Sequence, residues 1–96
     1  MTRIIWDEAK NTRNKKKHGV SFEIAQFVFD DPYVVSLPER VVDDEQRWQS
    51  IGMVYGAAIL LVAHTVTEEG EDEETIRIIS ARRATAAERR RYEESL

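Results

Sequence analysis

The segment Lys10 to His18 reads KNTRNKKKH and gathers groups suited to phosphate. It holds five Lys/Arg, with Asn11 and Asn14 between them and His18 at its end. No acid stands four residues from any of its lysines, so their mutual repulsion is not relieved within a helix. Two roles are open on these residues. A charge run is usually a solvated helix face, but this one equally suits a phosphate backbone, with the asparagine amides free for bases or sugars. The imidazole of His18 is a group able to move protons. Its ordinary role at this position is a favourable interaction with the C-terminal end of the helix dipole.

A second basic stretch runs from Arg77 to Arg91, with six arginines against the single acid Glu88. Strict alternation in a strand from Thr75 to Arg83 puts Ile76, Ile78, Ser80 and Arg82 on one face and Arg77, Ile79, Ala81 and Arg83 on the other. Arg89–Glu93 and Arg90–Glu94 can pair along a helix. Arg82 has no acid two or four positions away. Further back, Glu45-Gln46-Arg47-Trp48 opens another strand, where Arg47 and Trp48 must face opposite ways; Trp48 is the core residue and Arg47 the outward cation. His64 closes a nearly continuous apolar run, where a lone histidine is more often structural than reactive.

Other chemistries are excluded or weak. The absence of cysteine removes disulfides, thiolate zinc sites and thiol nucleophiles. Two histidines make a histidine-rich metal site improbable, and no phosphate-binding glycine loop, nucleophile elbow or H-E-x-x-H occurs. Glu68 to Glu74 carries six acids and no base, but lacks the spacing of a calcium loop and is expected to be a solvated turn. The net charge of −4 is thus an average over an acidic loop and two cationic segments. With 96 residues, 42% hydrophobic and 33% charged, the chain is expected to form one domain over residues 1–96. The longest apolar run is too short to span a bilayer, and no signal-like segment opens the chain. A cytoplasmic location is expected.

The elements that must position these residues are legible in outline. Arg3 to Trp6 is a short strand or an extended lead-in. Asp7 caps a helix from about Glu8 to Lys17, closed by Gly19. With no apolar residue between Ala9 and Val20, this helix is expected to dock through Trp6, Ala9 and aliphatic Lys/Arg stems. Ser21 caps a second helix, Phe22 to Phe29, halted by Asp30-Asp31-Pro32. Tyr33 to Leu37 is a strand and Glu39 to Gln46 a polar loop. Strands follow over Arg47–Val54, Ala57–Val66 and Thr75–Arg83, the first two joined by a turn at Tyr55-Gly56. Thr85-Ala86-Ala87-Glu88 is a capping box opening a last helix. The fold class is α+β: a short strand, two helices, about four antiparallel strands and a C-terminal helix.

Taken together the motifs resemble those of the BrnT family. Its N-terminal pattern, roughly W-D-x-x-K-x-x-x-N-x-x-K-H-G-V-x-F-x-x-A, falls on Trp6, Asp7, Lys10, Asn14, Lys17, His18, Gly19, Val20, Phe22 and Ala25. Glu45 to Trp48, Gly52, Ile79 to Arg82 and Glu88-Arg89 continue the likeness over nearly the whole chain.

The resemblance implies a RelE-like fold and a bacterial type II toxin that cleaves RNA without a metal or other cofactor. It also implies an antitoxin partner, BrnA-like, with a ribbon-helix-helix DNA-binding part, in a toxin–antitoxin hetero-oligomer. Metal-free cleavage uses the 2′-hydroxyl of the RNA and needs a base, a proton donor and cations. Arg47 and Arg82 are the expected phosphate clamps, since an arginine fork matches two phosphate oxygens. His18 is the first choice for proton transfer and His64 the second, with a lysine or Glu45 as alternatives. Lys10, Asn14, Lys17, Arg77 and Ser80 are the expected RNA contacts. The competing reading is a non-catalytic RNA- or protein-binding module; a DNA-binding protein is disfavoured by the lack of a helix-turn-helix pattern.

Overall fold

The computed structural model describes all 96 residues. The order is β1 (Thr2–Ile5), α1 (Glu8–His18), α2 (Phe22–Ala25), a 3-10 segment (Gln26–Asp30), β2 (Val35–Val42), β3 (Glu45–Val54), β4 (Ala58–Glu68), β5 (Glu74–Arg83) and α3 (Ala86–Glu94). One five-stranded sheet has the order β1-β5-β4-β3-β2. β2 to β5 form the expected antiparallel meander. β1 adds a fifth strand, and it runs parallel to β5, with Ile4 opposite Ile76. The sheet is therefore mixed.

Three local expectations needed correction. The second helix is α-helical only to Ala25 and then tightens to a 3-10 segment. Its fully buried residues, Phe22, Ala25 and Val28, are three apart, and three residues per turn keeps them on one line. Second, the expected loop after Pro38 is strand: β2 continues to Val42 with a register shift between Pro38 and Val41. Proline is tolerated there because β2 is an edge strand. The real turn is Asp43-Asp44, both at positive φ, which aspartate accepts better than most residues. Third, α1 docks by amides rather than by apolar stems. Its only buried residues are Asn11 and Asn14.

Asn14 lies where β1 has ended and the edge of β5 is bare. Its Nδ2 donates to Val20 O at 2.9 Å and to Ala81 O at 2.8 Å. Its Oδ1 accepts from Ala81 N–H at 3.1 Å. One side chain thus substitutes for a missing strand partner. Asn11 does the same for a helix start, accepting Phe22 N–H at 2.8 Å. Tyr55-Gly56 is the tight turn of the β3–β4 hairpin, with both residues at positive φ. Gly52 of β3 is a close-approach glycine: a Cβ there would lie 2.9 Å from Val28 Cγ1.

The main core lies between the helices and one sheet face, with Phe22, Ala25 and Val28 against Val54, Leu60, Val62, Ile78 and Ala81. A smaller core lies on the other face, where Tyr92 of α3 and Ala84 meet Ile51 and Leu61. Asp31 ties the two sides. Its carboxylate accepts Met53 N–H at 2.7 Å, beyond the last β2–β3 pair on that side, and Tyr92 O–H at 2.5 Å. Burial pushes the Asp31 carboxyl upward, but hydrogen bonds from Met53, Tyr92 and Tyr33 outweigh it and hold it below its ordinary value of 3.8. A carboxyl lowered on folding stabilises above its unfolded value and loses that contribution as pH falls through the folded one. Asp31→Asn is therefore expected to be less stable than the parent at neutral pH. The gap should narrow below about pH 4, which urea unfolding at several pH values will measure.

Candidate functional site

The meander sets side chains in rows across the sheet. Arg47, Thr65 and Arg77 form one row; Gln49, Ala63 and Ser80 form another; Ile51, Leu61 and Arg82 form a third. All share the face that carries α3. That helix packs over Ile51, Leu61, Met53 and Ile59, and so covers the end of the face away from Arg47. The rows through Arg47 and Ser80 lie outside its footprint. Adjacent strands lie 4.7–4.9 Å apart in general, so the Arg47 and Arg77 backbones stand about 10 Å apart across Thr65.

The expected separation of Arg77 from Ser80 and Arg82 does not occur. The register shifts between Ala63 and His64, leaving Ile79 as an extra residue of β5. That bulge reverses the alternation, so Arg77, Ser80 and Arg82 share a face.

Each arginine has a different environment. Arg77 Nη2 is 2.7 Å from Glu45 Oε1, an ion pair between the ends of β3 and β5. Arg82 forms a two-pronged pair with Glu88, Nη1 to Oε1 at 2.7 Å and Nη2 to Oε2 at 2.9 Å. This pair holds the Arg82 guanidinium above its ordinary value and the Glu88 carboxyl below its own, each against the opposing effect of burial. The acid that pairs Arg82 is thus six residues on, outside strand or helical spacing, in the capping box of α3. Arg82 braces β5 to α3, and its fork is occupied rather than open to phosphate. Arg47 is half-buried, and its Nε is buried without a hydrogen-bond partner. Unlike Arg77 and Arg82, Arg47 forms no ion pair and no side-chain hydrogen bond within the fold, so of these three arginines it is the one whose charge is uncompensated.

The basic helix joins this face at its edge. Lys10, Arg13, Lys17 and His18 line a cleft of about 410 Å³ with Asn14, Ile79 and Ser80, and no acid lines it. Ser80 belongs both to this cleft and to the sheet row beside Arg47 and Arg77. Lys10, Lys17, His18, Ser80, Arg77 and Arg47 therefore border one cationic surface. Arg13 also belongs there. Its position three residues after Lys10 and four before Lys17 is the helical spacing that would have revealed it.

Two expected site residues fall elsewhere. Asn14 is buried and both of its amide hydrogens are spent on backbone carbonyls, so it holds the fold together rather than reading a base. His64 is on the opposite sheet face, because alternation turns it away from its neighbour Thr65. It is 3% exposed, Nε2 lies 2.7 Å from Ser50 Oγ, and its ring meets Phe29 edge-on at 4.9 Å. Burial pushes its pKa below the ordinary histidine value, against the Thr65 carbonyl and Glu74, which act the other way. It is a buried histidine whose charged form burial disfavours, on the face away from the arginines. Glu45 was the lesser alternative in the sequence, yet it stands two residues from Arg47 on the same face.

Comparisons with known proteins place the chain in a family and support its fold. A family model described as the ribonuclease toxin BrnT of type II toxin–antitoxin systems matches residues 6–88. The crystal structure of the ribonuclease toxin BrnT of Brucella abortus is similar at a TM-score of 0.59 and 28% identity, covering 88% of this chain and 99% of that one. No curated protein matches the chain. No helix is long and apolar enough to cross a membrane. The α+β order, the N-terminal motif residues on α1 and the match over most of the length lead to one conclusion: the chain belongs to the BrnT family of ribonuclease toxins of type II toxin–antitoxin systems.

Proposed function

We propose that the chain is a metal-independent endoribonuclease that arrests growth, and that the surface from α1 to Arg47 is its RNA site. The observation that carries this is that Arg47, on the sheet face outside the α3 footprint and near Arg77 and Ser80, lacks the carboxylate partner that Arg77 and Arg82 each hold. Lys10, Arg13 and Lys17 supply the counter-charge for the flanking phosphates. Arg47 stabilises the extra negative charge on phosphorus as the 2′-oxygen attacks. Glu45 accepts the 2′-hydroxyl proton, and His18 at the cleft donates one to the departing 5′-oxygen. The 2′-O–P bond forms and the P–O5′ bond breaks, leaving a 2′,3′-cyclic phosphate and a 5′-hydroxyl. Arg82 acts as a positioning residue through Glu88. The family supports an antitoxin partner, and a BrnA-like ribbon-helix-helix protein in a hetero-oligomer is the proposed one.

The decisive experiment offers the purified chain single-stranded RNA in the presence of a metal chelator. Cleavage is expected, and a single 2′-deoxy substitution at the cut site is expected to abolish it there. Cutting at a 2′-deoxy position would overturn the mechanism. RNA binding with no cleavage would favour a binding module. That outcome has some structural support, since Arg77 and Arg82 already hold carboxylates.

A further inference from the structure

At the end of the sheet that carries Arg47, the opposite face is also bare of helix, and its chemistry is inverted. A cavity of about 480 Å³ there draws lining residues from all five strands, walled by Trp48, His64 and Ile76 and by Phe29 of the 3-10 segment. Strand alternation makes the two surfaces back to back: Arg47 against Trp48, Thr65 against His64, Arg77 against Ile76. No lysine or arginine lines this cavity, whereas Asp30 and Glu74 do. Through Thr2 and Glu74 it runs into a second hollow of about 220 Å³ lined by Glu68, Glu71, Asp72 and Glu73. At its other end Asp30 leads to a third, bordered by Phe27, Tyr33 and Tyr55, of which Tyr33 is 56% and Tyr55 71% exposed.

Large apolar side chains lining a cavity and standing exposed beside it mark a binding surface. The acids select its partner. A nucleic acid would meet six carboxylates along Glu68 to Glu74 with no compensating cation in that stretch. Lysine and arginine meet the opposite situation, since their stems cover apolar walls while their charges reach the rim. We propose that this groove docks a basic segment of a protein partner, one large apolar side chain seated between Trp48 and Phe29 and flanking lysines or arginines on the acidic rim. This goes beyond the ribonuclease reading and does not depend on it, because the cationic face remains open while the groove is filled. It also supplies a use for the acidic loop.

The test uses a fluorescein-labelled decapeptide alternating lysine and leucine around one tryptophan, with two control peptides. One carries glutamate for each lysine and the other serine for the tryptophan. Anisotropy is expected to show binding of the basic peptide and at least tenfold weaker binding of both controls. In NMR spectra the Trp48 and His64 resonances should shift. Two variants keep the outcome interpretable if one fails to fold. Glu71→Lys/Asp72→Lys/Glu73→Lys reverses exposed charges only, and Asp30→Lys reverses an exposed acid that lines the cavity. Each is expected to weaken binding at least tenfold. Equal binding of the acidic peptide, unmoved Trp48 and His64 resonances, or unchanged affinity in a folded variant would overturn the proposal. So would single-stranded RNA that by itself shifts the Trp48 indole and His64 imidazole side-chain resonances, which lie on the face away from Arg47 and Thr65. Cleavage assays on the same variants separate this result from the fate of the ribonuclease reading, since none of these substitutions touches the cationic face.

Discussion

Arg47→Ala is expected to lower RNA cleavage by about a hundredfold or more, the usual cost of losing one preorganised donor at a developing oxyanion. Stability should change little, since the Arg47 Nε has no partner in the fold to lose. Arg47→Lys keeps the charge but loses the planar fork, so intermediate activity is expected. Initial cleavage rates on one RNA, with thermal unfolding of each variant, make the measurement. Arg82→Ala is the informative contrast. It breaks a two-pronged pair to Glu88 and frees the start of α3, so its main effect should be on stability. Full activity in both folded variants would remove the arginines from the mechanism altogether.

Asn14→Ala is expected to destabilise the chain by about 3 kcal/mol or more, because Val20 O and both backbone groups of Ala81 lose their partner. For a domain of this length that corresponds to a fall in Tm of roughly 15 °C. Asn14→Asp should be no better, since a carboxylate turns an acceptor toward two carbonyls that need donors. Circular dichroism melts of both variants check this. An RNA-reading role for Asn14 makes the reverse forecast, unchanged melting with weakened RNA binding, and that pattern would refute the edge-cap assignment.

The two residues at the start of β3 illustrate what local pattern can and cannot settle. Alternation alone set Arg47 and Trp48 on opposite faces, and they are so placed, but Trp48 belongs to neither core and instead walls the groove. The same rule misplaced Arg77 relative to Arg82, because one bulge at Ile79 reverses it and nothing in the strand's composition announces a bulge. Arg82 has no acid at strand or helical spacing along the chain. Its partner Glu88 lies across a turn, and only the folded chain brings the two within 2.7 Å.

By itself, then, the sequence determined the capped helices, the meander, the cationic helix and the motif set that carries the family likeness. These depend on contacts within a few residues, or on residue types at set spacing, and local physics is nearly the same in any fold. Tertiary structure decided the rest. It added β1 as a parallel strand beside β5 from the far end of the chain. It moved Asn14 from surface to edge cap and His64 from candidate catalyst to a buried residue on the opposite sheet face. It separated the charges into a cationic face and an acidic groove on opposite sides of one sheet end. Each of those outcomes depends on which strand edge is left bare and which face a helix covers, and those are properties of the assembled sheet.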